Sequence, residues 1–151
     1  MNKKQFAETV AKLLKNEHSN PKTELTHANE MQLAVAVMLS AQTTDKKVNQ
    51  ITPKLFNKYK TWEELANADL IELQATIRGV NFHLGKAERL IRAGNFITEK
   101  FNGRLPKTIN ELVKIPGIAR KSANVILNEL WDISEGIVVD THVTRVSNRL
   151  G

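Results

Sequence analysis

The sequence predicts an all-α protein, and three observations carry that prediction. Apolar residues recur at spacings of three and four along nearly the whole chain. Strand-like alternation is confined to the short "GIVVD" at 136–140, and Thr or Asp stands just before several of the periodic runs, where helices take their N-caps. With 151 residues, 41% of them hydrophobic, the chain is long enough for one compact domain with a real core.

The elements follow in order. Phe6, Val10, Leu13 and Leu14 make the apolar stripe of a first helix. A second, "MQLAVAVMLSA", carries Leu33, Val37 and Met38 and is apolar on every side, so it is expected to be buried all round as the spine of the core. Thr44 caps a third helix running through Leu55 to Tyr59, which Pro53 is expected to kink. Thr61 caps a short helix holding Trp62 and Leu65, and Asp69 opens "DLIELQATIRG". "LGKAERLIRAGNFITEKF" follows, with its inner face expected on Leu84, Ala87, Leu90, Ile91 and Ile97. Thr108 caps "INELVKI", another helix starts near Ala119, and the last starts at Thr141. Trp62 and Trp131 read as packing residues. Short turns separate the helices and there is no repeat or low-complexity linker, so they are expected to pack as one unit.

Composition narrows the function. A net charge of +6 and a pI near 9.7 favour an anionic partner such as nucleic acid. Residues 1–60 carry ten Lys/Arg against five Asp/Glu, residues 61–103 five against six, and residues 104–151 seven against five, so a polyanion is expected to meet the two ends. The chain has no cysteine, which excludes a disulfide, a thiolate nucleophile and a cysteine-ligated metal within these residues. His18, His27, His83 and His142 lack metal-ligand spacing, and no metal site is expected. Neither a signal-peptide core nor an apolar run of membrane-spanning length is visible, so a cytoplasmic protein without a membrane partner is expected.

The chemistry gathers at "IPGIARKSANVIL", Ile115 to Leu127. Pro116 and Gly117 leave room only for a tight turn between two helices. Gly117 lets backbone approach a ligand closely, and the free N–H groups opening the next helix suit a phosphate oxygen. Such a turn grips DNA backbone without reading sequence, although Pro-Gly between helices is, taken alone, more often an ordinary αα-hairpin. Arg120 and Lys121 then oppose the dipole of the helix they open, at about 0.3–1 kcal/mol each, a cost that a bound polyanion reverses. An amine held there is also expected to give up its proton more readily, as a nucleophile must.

At this point "IPGIARKSANVIL" resembles the helix–hairpin–helix of endonuclease III, a family of DNA glycosylases and abasic-site lyases whose usual form is LPGVGRKTANVVL. "VVDTHVTRVSNRLG" is similar to the family's VDTHVxRVxxRLG segment and "MLSAQTTDKKVNQ" to its LLSAQxTDxxVN segment, so the resemblance spans about Glu24 to Gly151. It implies that Lys121 is the Schiff-base lysine and Asp140 the catalytic aspartate. By the same resemblance Gln42 fills the gap left by a flipped nucleotide, while Gly117, Ala119 and Arg120 belong to the DNA-gripping hairpin. Locally, Asp140 also reads as a helix N-cap and Gln42 as the turn after a helix. A lysine at position 121 argues against the related adenine-mismatch glycosylases, which generally lack one there.

The sequence also departs from the family pattern. Ala119 replaces the hairpin's second glycine, Asn81 replaces the glycine of a GLYxxKA loop with His83 at its aromatic position, and "LWDISEGIVVD" is one residue longer than usual.

The resemblance implies a fold with a six-helix barrel at 23–133, containing the hairpin near 108–130, and a second lobe of which 1–22 and 134–151 supply the first helix and the start of the return. Relatives usually carry a [4Fe–4S] cluster on cysteines further along. The implied function is base excision repair by a monomer acting on duplex DNA with oxidised pyrimidines or abasic sites. The alternative is a catalytically impaired remnant that only binds DNA.

Overall fold

The computed structural model describes all 151 residues and contains nine helices. They are α1 (Lys3–Glu17), α2 (Glu30–Ser40), α3 (Asp45–Lys58), α4 (Trp62–Ala66), α5 (Leu70–Thr76), α6 (His83–Phe101), α7 (Ile109–Leu112), α8 (Arg120–Trp131) and α9 (Thr141–Leu150). An isolated bridge between Arg78 and Val80 is the sole β pairing, and "GIVVD" is not a strand.

Seven helices start on a side-chain cap. Asn2, Asn29, Thr44, Thr61, Asp69, Thr108 and Asp140 each accept a hydrogen bond from a backbone N–H three residues on, and the expected caps at Thr44, Thr61, Asp69 and Thr108 are among them. Two starts have no such cap, Phe82 before α6 and Ala119 before α8.

The core is built around α2, where Met31 and the unbroken run Leu33 to Leu39 are buried, as a helix apolar on all sides demands. Val48, Ile51 and Leu55 of α3, Leu90 and Ile97 of α6, and Ile126 and Leu127 of α8 close on it. Every buried residue lies between Leu25 and Leu127. α4 lies against α6 at Gly94, where a Cβ would stand 2.7 Å from the Trp62 carbonyl oxygen, so only glycine permits that approach.

α3 continues through Pro53 as one helix, with the ring on its exposed side. Two expectations need correction. α7 ends at Leu112 instead of running to Ile115, because the chain beyond it tightens into turns in which the Lys114, Ile115 and Ile118 N–H groups bond the carbonyls three residues back. Leu84, placed on the inner face of α6 by periodicity, is 56% exposed, since the first turn of the helix borders an open cleft. α1 and α9 bury no residue. Phe6, Val10 and Leu14 of the one face Ser147 and Leu150 of the other across a shared groove.

Candidate functional site

Gly117 shapes the hairpin. Its φ of +87° is open to glycine and strained for other residues, and an added Cβ would stand 2.7 Å from the Met38 methyl and 3.3 Å from the Arg89 Cβ. Ala119 has φ −92°, so a methyl is accommodated where relatives have glycine. Because Ala119 offers no capping oxygen, the N–H groups of Arg120, Lys121 and Ser122 find no acceptor in the protein, and the first bond of α8 runs from Ala123 N–H to the Ala119 carbonyl at 2.9 Å. Open N–H groups at the positive end of a helix are what a phosphate oxygen requires.

Gln42 lies 79 residues before Lys121 in the chain and Asp140 19 after it (121 − 42 and 140 − 121), yet all three line one cleft of about 720 Å³. Each is delivered by a different element. Lys121 occupies the second position of α8 and is exposed. Asp140 caps α9, its Oδ1 accepting from the Val143 N–H at 2.8 Å, at the end of a loop that passes Asn124 of α8 at Gly136. The two roles expected for Asp140 are therefore compatible in one geometry. That hydrogen bond above all, with the positive charge of Lys121 behind it, holds the Asp140 carboxyl below the usual carboxylate range.

Gln42 follows the C-cap of α2 in the left-handed region, φ +54°, an uncommon conformation for its type that turns the chain sharply toward the cleft. Lys86 of α6 helps to hold it there. Its Nζ is buried and donates to the Leu39 carbonyl at 2.7 Å, the Ala41 carbonyl at 2.6 Å and the Thr43 Oγ1 at 3.3 Å, tying off the end of α2 and both sides of the Gln42 turn. Burial, and then the neighbouring Arg89, push its pKa down. Asn81, the departure from the family's glycine, completes the bracket: its N–H donates to Thr43 Oγ1 at 3.0 Å and its side-chain amide to the Gln42 carbonyl. Lys86→Ala is expected to cost about 2–4 kcal/mol in denaturant unfolding, since it orphans buried carbonyls that accept from a charge.

Sequence reasoning missed other residues around the site. Glu24 and Asp45 line the same cleft, and burial, reinforced by Glu24, raises the Asp45 pKa. No local signal pairs residues 21 apart across the α2 helix (45 − 24). Phe82 was also passed over. It is 66% exposed, has φ +58°, and with Gln42 lines an adjoining cleft of about 590 Å³. An aromatic ring in water on strained backbone was the available sign.

The model of the HhH-GPD superfamily of base excision DNA repair proteins matches residues 35–151. Endonuclease III of Synechocystis sp. is 41% identical over 149 residues, covering 99% of this chain and 68% of the relative. The chain belongs to the endonuclease III family. Endonuclease III of Bacillus subtilis is 44% identical over 128 residues, 85% of this chain and 58% of the relative, so the chain spans roughly three fifths to two thirds of the family members it matches. A solved non-covalent endonuclease III–DNA complex superposes with a TM-score of 0.91 at 37% identity, over 97% of this chain and 68% of that one. A trapped covalent endonuclease III–DNA intermediate matches equally well. The all-helical architecture is thus that of a DNA glycosylase and abasic-site lyase family of base excision repair. Members usually carry a [4Fe–4S] cluster; these 151 residues include no thiolate to ligate one. No helix is long and apolar enough to cross a membrane.

Proposed function

We propose that this chain is a DNA glycosylase that removes oxidised pyrimidines and cleaves the resulting abasic sites through Lys121. The observation that carries the reading is the meeting of Lys121, Asp140 and Gln42 at one cleft whose lining has no hydrophobic residue, beside a hairpin with unbonded N–H groups. The hairpin holds duplex phosphates through Gly117, Ala119 and Arg120, and the damaged nucleotide turns out of the stack into the cleft. Lys121 Nζ gives a proton to solvent and attacks C1′, the C1′–N bond breaks, and the base leaves with the electron pair and takes up a proton. Ring opening leaves an iminium between Nζ and C1′. Loss of a C2′ proton then expels the 3′ phosphate from C3′, and water releases the unsaturated sugar and regenerates the amine.

Asp140, held ionised by the Val143 N–H, stabilises the cationic character that develops on the sugar. A carboxyl with a depressed pKa suits that electrostatic task better than storing a proton. Every step uses amine and carboxylate chemistry of this chain, with no metal or cluster taking part. Gln42 fills the vacated gap and hydrogen-bonds the orphaned base, while the exposed Phe82 ring wedges against the neighbouring base step. Residues 23–133 make the barrel wall and residues 1–22 with 134–151 the opposite lobe, a division supported by the confinement of burial to Leu25–Leu127. The enzyme acts as a monomer on the DNA of the cytoplasmic nucleoid.

Borohydride trapping on abasic-site duplex tests the reading. A covalent adduct with the wild type and none with Lys121→Ala is expected. Salt-sensitive binding with no adduct would support instead a protein that binds DNA without cutting it. Gln42→Ala is expected to weaken binding to a duplex with an abasic analogue about tenfold, roughly one to two hydrogen bonds, while leaving undamaged duplex nearly unchanged. Equal loss on both duplexes in a fluorescence titration would remove Gln42 from the gap-filling role.

A further inference from the structure

A second basic surface adjoins the hairpin, in the middle of the chain, where the segment charges balance. The hairpin turn and α6 form a groove of about 480 Å³ lined by Lys86, Arg89, Arg92 and Lys114 with no acidic residue. The stem of Arg89 lies against the Gly117 turn, so its position is tied to the hairpin. Arg89 also lines the neighbouring cleft that holds Gln42 and Phe82, again with no acidic residue. It is thus shared between the gap-filling side and the phosphate-gripping side.

No carboxylate comes within ion-pair distance of these cations, and Glu88, beside Arg89 in the chain, does not line the groove. The molecule has one salt bridge, Lys58 with Glu72, on a different face, so Arg89 and Arg92 have no carboxylate partner, and both are exposed. Three residues apart on a helix, they are neighbours about 4.5 Å along its axis, and like charges so placed repel. Lys86 adds its charge from behind while its donors are spent on Leu39, Ala41 and Thr43. A groove with this field is unfavourable empty and favourable against a polyanion. Guanidinium forks match phosphate oxygens in a planar, two-pronged way.

We propose that Arg89 and Arg92 form a second phosphate-binding element, which holds the DNA backbone between the gap filled by Gln42 and the phosphate gripped by the hairpin. The inference rests on the DNA-binding reading above. Arg89, shared by both clefts, contacts the backbone between the flipped nucleotide and the hairpin, and Arg92, one helical turn on, the adjoining phosphate.

The test is fluorescence anisotropy on a labelled duplex carrying a tetrahydrofuran abasic analogue, between 50 and 200 mM salt, for wild type, Arg89→Gln, Arg92→Gln, the double variant and Arg89→Lys. Each lost phosphate contact lowers the slope of log affinity against log salt by about 0.9, so across this range the affinity of the double variant is expected to fall about 12-fold less than that of wild type. Arg89→Lys keeps the wild-type slope. Arg89→Gln, unlike Arg92→Gln, also reduces the preference for the abasic over the undamaged duplex. Both side chains are exposed, so thermal midpoints should not move. A double variant with the slope of a DNA-binding wild type overturns this inference alone. A wild type with no salt-dependent DNA binding overturns it together with the reading on which it rests.

Discussion

Lys121→Gln is expected to abolish strand cleavage at abasic sites, slowing it on the order of 10⁴-fold or more, the scale on which removing a nucleophile undoes covalent catalysis. Binding should survive. The hairpin's backbone donors, Gly117 and Arg120 remain, and one exposed cation among several is lost. Lys121 contributes to the depression of the Asp140 pKa but less than the Val143 N–H does, so the carboxylate stays ionised in the variant. Single-turnover nicking of abasic duplex, read beside anisotropy titrations, separates the two quantities. Nicking at the wild-type rate would remove Lys121 from the chemistry.

Asp140→Asn is expected to slow base release by about 10²–10³-fold with little change in binding, as befits a charge that matters once positive character builds on the sugar. The substitution is informative because asparagine caps helices about as well as aspartate. The bond from the Val143 N–H should persist and α9 should keep its start, so the lost rate reports charge and not a frayed helix. Asp140→Ala removes cap and charge together and should add about 1 kcal/mol of destabilisation at α9. The pH dependence carries a matching sign. A carboxyl held below its ordinary range contributes stability that is present above its unfolded pKa and lost as pH falls through the lower folded one. In the wild type, Asp140 should therefore bring no acid limb to base release until pH drops beneath the usual carboxylate range. An acid limb near pH 5 that disappears in Asp140→Asn would contradict this.

The elements that were legible in the sequence share one physical character. Helix starts at Thr44, Thr61, Asp69 and Thr108 depend on a side chain bonding a backbone group three residues away, and that information is wholly local. The burial of α2 was equally open to reading, since a helix apolar on all sides has no face to give to water. The tight turn at Pro116-Gly117 and the cations after it marked the hairpin from residue types alone, and the family segments named Lys121, Asp140 and Gln42.

Tertiary structure decided what depends on distance through space. Periodicity put Leu84 inward because it counts residues and does not see that the first turn of α6 borders an open cleft. Averaging charge over 43 residues (61 to 103) hid the Arg89–Arg92 face, because no acidic residue of that segment lines the groove they share. Nothing local marks Lys86, and only the fold brings Leu39, Ala41 and Thr43 to its ammonium, 43 to 47 residues away in sequence. By itself the sequence determined where most helices start, and it offered Lys121 as the candidate nucleophile. The meeting of Lys121, Asp140 and Gln42 at one cleft was set by packing, because a cleft is a relation between α2, α8 and α9 that no single segment contains.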